Sequence, residues 1–95
     1  MIAKFQNSIY REEMLNHLAD DENGLQLTRS YPGCISVECR HSMDDQETIY
    51  IWAKWKTEAA FNAYMKMRAE SNFFGPWVKK MSAEPTFIRL SEKSY

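Results

Sequence analysis

The sequence predicts an α+β fold, a ferredoxin-like βαββαβ antiparallel sheet with its helices on one face. Three observations carry that reading. Residues 49–56 alternate as a strand, and at Thr57 the period changes, with Phe61, Tyr64, Met65 and Arg68 following at i, i+3, i+4 and i+7 as a helical stripe. A second alternating run, residues 34–41, precedes it across the polar connection 42–47, so the two pair as a hairpin. Short β-forming segments open and close the chain at 1–7 and 86–90. Right-handed crossovers from strand one to two and from three to four then put the helical segments on one side of the sheet.

Taken in order, strand one places Met1, Ala3, Phe5 and Asn7 on one face and Ile2, Lys4 and Gln6 on the other. Ser8 is suited to cap the next helix, where Ile9, Met14, Leu18 and Leu25, with Leu15 beside them, fall near helical spacing. Asp20-Asp21-Glu22-Asn23-Gly24 interrupts the pattern, and a glycine inside a helix costs about 1 kcal/mol relative to alanine. One long helix over 8–29 is nevertheless expected ahead of two pieces, and Pro32-Gly33 ends it. Strand two sets Ile35, Val37, Cys39 and His41 against Ser36, Glu38 and Arg40.

Strand three is bulky on both faces, with Ile49, Ile51, Ala53 and Trp55 on one and Tyr50, Trp52, Lys54 and Lys56 on the other. The chain's own helices cover one face, and a partner subunit is expected over the other. Thr57 caps the following helix, with Glu58 near its positive end, and that helix runs to about Glu70. Gly75-Pro76 begins a short helix with Trp77, Val78 and Met81 on its apolar side, because proline suits a first helical position. Glu84-Pro85 stops it before strand four, and 91–95 is a polar tail. The helix-facing surface then collects Ala3, Phe5, Asn7, Ile35, Val37, Cys39, Ile49, Ile51 and Trp55.

Ninety-five residues suit one domain over 1–95, which by itself buries roughly two-thirds of its unfolded surface, so dimerisation adds burial. A net charge of −1 and a pI near 6.1 argue against nucleic-acid or anionic-membrane partners. No signal-peptide pattern or membrane-spanning apolar run is present, and a cytoplasmic location is expected. Cys34 and Cys39 differ in parity on one strand and read as free thiols. His17 and His41 lack partners at metal-ligand spacing, so no metal is expected. Asp21-Asn23-Gly24 faintly suggests a calcium loop, but Ala19 and Ser30 occupy its first and last ligand positions and the match fails. Phosphate-loop, nucleophile-elbow and dinucleotide motifs are missing.

The strand–cap–helix passage, together with Pro32-Gly33-Cys34, Trp55, Thr57 and Ala60-Phe61, resembles the antibiotic biosynthesis monooxygenase family of dimeric α/β-barrel proteins. Typical members carry a Pro-Gly-Cys-like turn before strand two, a Trp closing strand three, a polar cap and an Ala-aromatic helix. Tyr64 stands where that helix often holds a His. The resemblance implies a homodimer joined through the open sheet face, a small apolar or aromatic substrate, and no cofactor.

It also suggests site residues, each beside a plainer structural role. Asn7 matches the substrate-contacting Asn that some oxygenases of the superfamily place on strand one, or it caps the nearby helix. Trp55 lines the site or anchors strand three to the helix, and its indole N–H needs a partner if buried. Tyr64 donates a hydrogen bond to a substrate oxygen or is a half-buried amphipathic residue. These are the catalytic candidates. Arg68 offsets an anionic substrate or lies on a solvated helix edge. Phe5, Val37, His41, Ile51, Phe61, Met65 and Trp77 complete the expected substrate-binding surface, or fill the core.

The activity implied is cofactor-free oxidation of a polycyclic phenol or similar electron-rich aromatic by oxygen. Ile51 replaces the strand-three Asn of the best-defined members. Haem degradation, performed by a related branch, uses an axial His on the segment after the second main helix, and this chain has no His from Met65 onward. The alternative from another class is a non-catalytic dimeric module that binds a small ligand or a partner. An RNA-stacking role for Tyr50 and Trp52 lacks the aromatic-glycine signature and the positive charge.

Overall fold

A computed structural model describes residues 1–20 and 22–95. Strands β2 (Cys34–His41) and β3 (Thr48–Trp55) pair antiparallel, and β1 (Ile2–Lys4) pairs antiparallel with the other side of β3, giving the order β1-β3-β2. On the outer edge of β1, Ile2 and Thr86 exchange both backbone hydrogen bonds at 2.8 Å. That is the place of the fourth strand in a ferredoxin-like sheet, and the α+β class holds. The expected strand over 86–90 is reduced to this one bridge, because Phe87, Ile88 and Leu90 leave the edge and stand exposed. Strand one is likewise shorter than expected, with Phe5 bridging to Met81 beyond its end.

The expected long first helix is two helices, α1 (Ser8–Leu18) and α2 (Leu25–Ser30). Local chemistry in the intervening turn explains the break. Asp20 Oδ1 accepts the backbone N–H groups of Glu22 and Asn23, an Asx-type turn that competes with helix. Gly24 then packs so closely on the end of α1 that a Cβ would lie 2.3 Å from Leu18 O. Asp21, and with it one position of the calcium-loop comparison, lies outside the described residues.

The cap of α1 is Asn7 rather than Ser8, its Oδ1 accepting Tyr10 N–H at 2.8 Å. Helix α3 (Glu58–Glu70) starts as expected, with Thr57 Oγ1 accepting Ala60 N–H at 3.1 Å. Helix α4 (Gly75–Val78) carries Pro76 in its first turn. None of these helices is long and apolar enough to cross a membrane.

Ala3, Phe5, Val37 and Ile49 form the sheet side of the core, closed by Met14, Leu18, Leu25 and Met81. Ile35 was expected among them and is 51% exposed. The cause is a β-bulge: Cys34 pairs with Trp55 and Ser36 with Lys54, leaving Ile35 unpaired and shifting the alternation by one. On the far face of the sheet, Tyr50 and Trp52 remain 40% and 51% exposed.

Candidate functional site

Where α3 crosses the end of β3, an aromatic group fills the space that the sequence assigned to substrate. The Trp55 ring lies 5.0 Å from Tyr64 and 6.0 Å from Phe61, and Tyr31 meets Tyr64 edge-on at 5.4 Å. These separations are ordinary for packed aromatic pairs. The Tyr64 hydroxyl is 2.7 Å from Thr28 Oγ1 on α2 and accepts Arg68 Nε at 2.7 Å. Arg68 is 2% exposed, so the expected solvated helix edge is not where it lies. Its other nitrogens donate to Asn23 O, Gly24 O and Thr28 Oγ1, and its guanidinium lies 4.0 Å from the Phe73 ring centre. Among the described residues no carboxylate pairs with it, and carbonyls, hydroxyls and an aromatic face hold the charge instead.

Trp55, Tyr64, Phe61 and Arg68 are thus brought together, but Asn7 is not among them. In the antiparallel β1/β3 pair Lys4 faces Thr48, so Asn7 lies beyond the start of β3 while Trp55 ends it. Seven residues of strand at roughly 3.3 Å each put about 23 Å between those ends. Asn7 is exposed and occupied as a helix cap, so it does not share a site with Trp55 and Tyr64. Of the expected lining, Phe5 is sealed in the core, His41 is exposed at the end of β2, and Ile51 and Met65 are half-buried. Trp77 packs against His17 at 5.1 Å, away from Trp55 in the fold.

An open concavity lies elsewhere. Between the end of α1, α2 and β2, the free edge of the sheet, is a cleft of about 590 Å³, within the usual range for small-molecule sites. Leu15, Leu18, Ala19 and Leu25 line its helical side. Val37 and Cys39 form the strand side, with Arg29, Glu38 and Arg40 around them. The cleft exists because the first helix breaks; a continuous helix would not turn at Leu18. Arg40 Nη1 donates to Cys39 O at 3.0 Å, folding over the strand edge, and Arg29 Nη2 reaches Val37 O at 3.4 Å. Tyr64 and Arg68 act on this cleft indirectly, since their bonds to Thr28 and Gly24 hold α2 in place.

Burial raises the Cys39 thiol, with Arg40 opposing, and burial likewise raises Cys34. Both are poor thiolate nucleophiles at neutral pH. Of the expected site residues only Val37 lines the cleft. Arg29, Arg40 and Leu15, which line the cleft, were not among the expected site residues; the interruption at 20–24 signals the helix break beside Leu15 and Arg29, and no sequence signal marks Arg40. No curated protein matches the chain significantly. A family model described as antibiotic biosynthesis monooxygenase matches residues 10–74, which includes the helix break, the Pro32-Gly33-Cys34 turn, Trp55 and α3. With well over half of its length matched, the chain belongs to the antibiotic biosynthesis monooxygenase family.

Proposed function

We propose that this chain is a cofactor-free monooxygenase that oxidises an electron-rich, phenol-type aromatic with molecular oxygen, as a homodimer joined through the open sheet face. The observation that carries the reading is the cleft. It is open to solvent and lined by Leu15, Ala19 and Cys39 over the buried Leu18, Leu25 and Val37, a size and partly apolar surface that suit an aromatic body, in a chain of a monooxygenase family. The chemistry belongs to the substrate. Loss of a proton gives an electron-rich anion, one electron passes to oxygen, and the substrate radical and superoxide recombine at carbon. The peroxide takes a proton. It then loses water as the remaining C–H bond and the O–O bond break, leaving a quinone carbonyl.

The protein's part is to position that anion. Tyr64 and Arg68 serve as positioning residues through α2. Homodimerisation is supported by Tyr50 and Trp52, which the chain's own helices leave exposed.

Oxygen consumption with an anthrone-type substrate tests this. The wild type is expected to exceed autoxidation, and Ala19→Trp, which adds bulk to the cleft from an exposed position, lowers the rate roughly tenfold or more. No uptake above autoxidation, or undiminished uptake in Ala19→Trp, rejects the proposal. One observation favours a second reading, a binding protein without turnover: the Asn7 amide oxygen and the Tyr64 hydroxyl are both engaged within the protein. Saturable binding of the same aromatic without oxygen uptake would select it.

A further inference from the structure

The cleft carries a charge pattern beyond its apolar walls. Arg29 and Arg40 both line it, opposed by one carboxylate, Glu38, which sits 3.9 Å from Arg40. Arg29 has no carboxylate within ion-pair distance among the described residues. Its one hydrogen bond among the described residues, to Val37 O, is 3.4 Å long and uses one of five guanidinium donors. That contact nonetheless places the guanidinium against the strand side of the cleft, beside a valine that is 4% exposed. An exposed guanidinium with most of its donors free among the described residues is suited to a carboxylate, sulfonate or phenolate, which forms shorter, charge-assisted bonds than the 3.4 Å carbonyl contact.

We propose that the cleft selects amphipathic organic anions, with the apolar body against Leu15, Ala19 and Cys39 and the anionic group on Arg29, assisted by Arg40. This rests on the cleft being the substrate site and adds the charge that substrate carries there. It concerns binding and requires no turnover. A neutral aromatic of the same shape gains the apolar contacts alone. Arg40 contributes less than Arg29, because its strand position belongs to the open face of the sheet and only its head folds over the edge, and because Glu38 already offsets part of its charge.

The test compares two fluorescent probes with the same rings, anilinonaphthalene sulfonate and its uncharged relative N-phenylnaphthylamine, on the full chain. The wild type is expected to bind the sulfonate roughly tenfold or more tighter than the neutral probe, a difference of about 1.4 kcal/mol. Arg29→Gln brings the two affinities together and Arg40→Gln narrows the gap, while neutral-probe binding is retained in both. Arg29 is exposed, so its replacement leaves the core intact, and unchanged circular dichroism checks this. Equal affinities in the wild type, or a preference that survives Arg29→Gln, overturns the proposal. Oxygen uptake separates the two failures. Uptake without anion preference removes only this inference, and anion preference without uptake removes only the oxygenase.

Discussion

Arg68 Nε donates to the Tyr64 hydroxyl at 2.7 Å, and both side chains also reach Thr28 Oγ1 on α2. The positions share one face of α3 four residues apart, and their common target lies across the helix break. The site that holds the chain's most buried cation therefore also fixes the wall of its cleft.

Tyr64→Phe leaves a buried guanidinium N–H without its acceptor, and the expected loss is about 1–3 kcal/mol. For a domain of this size each kcal/mol lowers Tm by roughly 4–8 °C. Arg68→Met strips donors from Asn23 O and Gly24 O and is expected to cost as much or more. Because each variant breaks the same network, the double variant falls short of the sum by about 0.5–3 kcal/mol in urea titrations. Strict additivity would mean that the two residues act separately.

Asn7→Ala removes the cap of α1, at a cost of about 1 kcal/mol. Asn7→Ser restores it, since a hydroxyl also accepts the Tyr10 N–H. Oxygen uptake stays at the wild-type rate in both, because Asn7 does not line the cleft. A rate loss in Asn7→Ala that Asn7→Ser does not rescue would return the amide to the chemistry.

Gly33 has φ +91°, and a Cβ there would lie 2.4 Å from the Ala60 Cβ of α3. Gly33→Ala meets two separate penalties, left-handed backbone strain and a clash, each of about 1–3 kcal/mol. Pairing it with Ala60→Gly relieves the clash but not the φ. Partial recovery in denaturant midpoint is therefore expected; full recovery would show that the backbone carries no strain.

Most of the fold was legible because it depends on local signals. Thr57 capped α3, Gly75-Pro76 opened α4, and alternation marked β2 at its observed ends and β3 to within one residue at each end. What the sequence hid depends on tertiary closeness. The bulge at Ile35 inserts one residue with no composition signal of its own, whereas the split of α1 from α2 is local, set by the Asp20 turn and the close packing of Gly24 on the end of α1, and the interruption at 20–24 marked its place. The candidate site failed for a related reason. Trp55 and Tyr64 were correctly placed on one side of the sheet, but their rings fill that space with each other, and the opening lies over the edge strand. Antiparallel pairing of β1 with β3 already implied that Asn7 and Trp55 sit at opposite ends, a consequence the face-by-face reading did not draw.

The open sheet face gives the last prediction. Trp52 pairs across strands with Glu38 and Tyr50 with Arg40, on a face that no helix of the chain covers. If that face joins two copies, the aromatic pair sits at the centre of a two-fold interface, where a buried charge is costly. Trp52→Lys places a cation opposite Glu38 and Tyr50→Glu an anion opposite Arg40, and because both positions are already exposed the protomer keeps its fold. Mass in solution is expected to read dimer for the wild type and monomer, or a dimer weakened by roughly tenfold or more, for each variant. A monomeric wild type, or variants that dimerise as tightly, would remove the sheet face as the joint and leave two exposed aromatics to another partner.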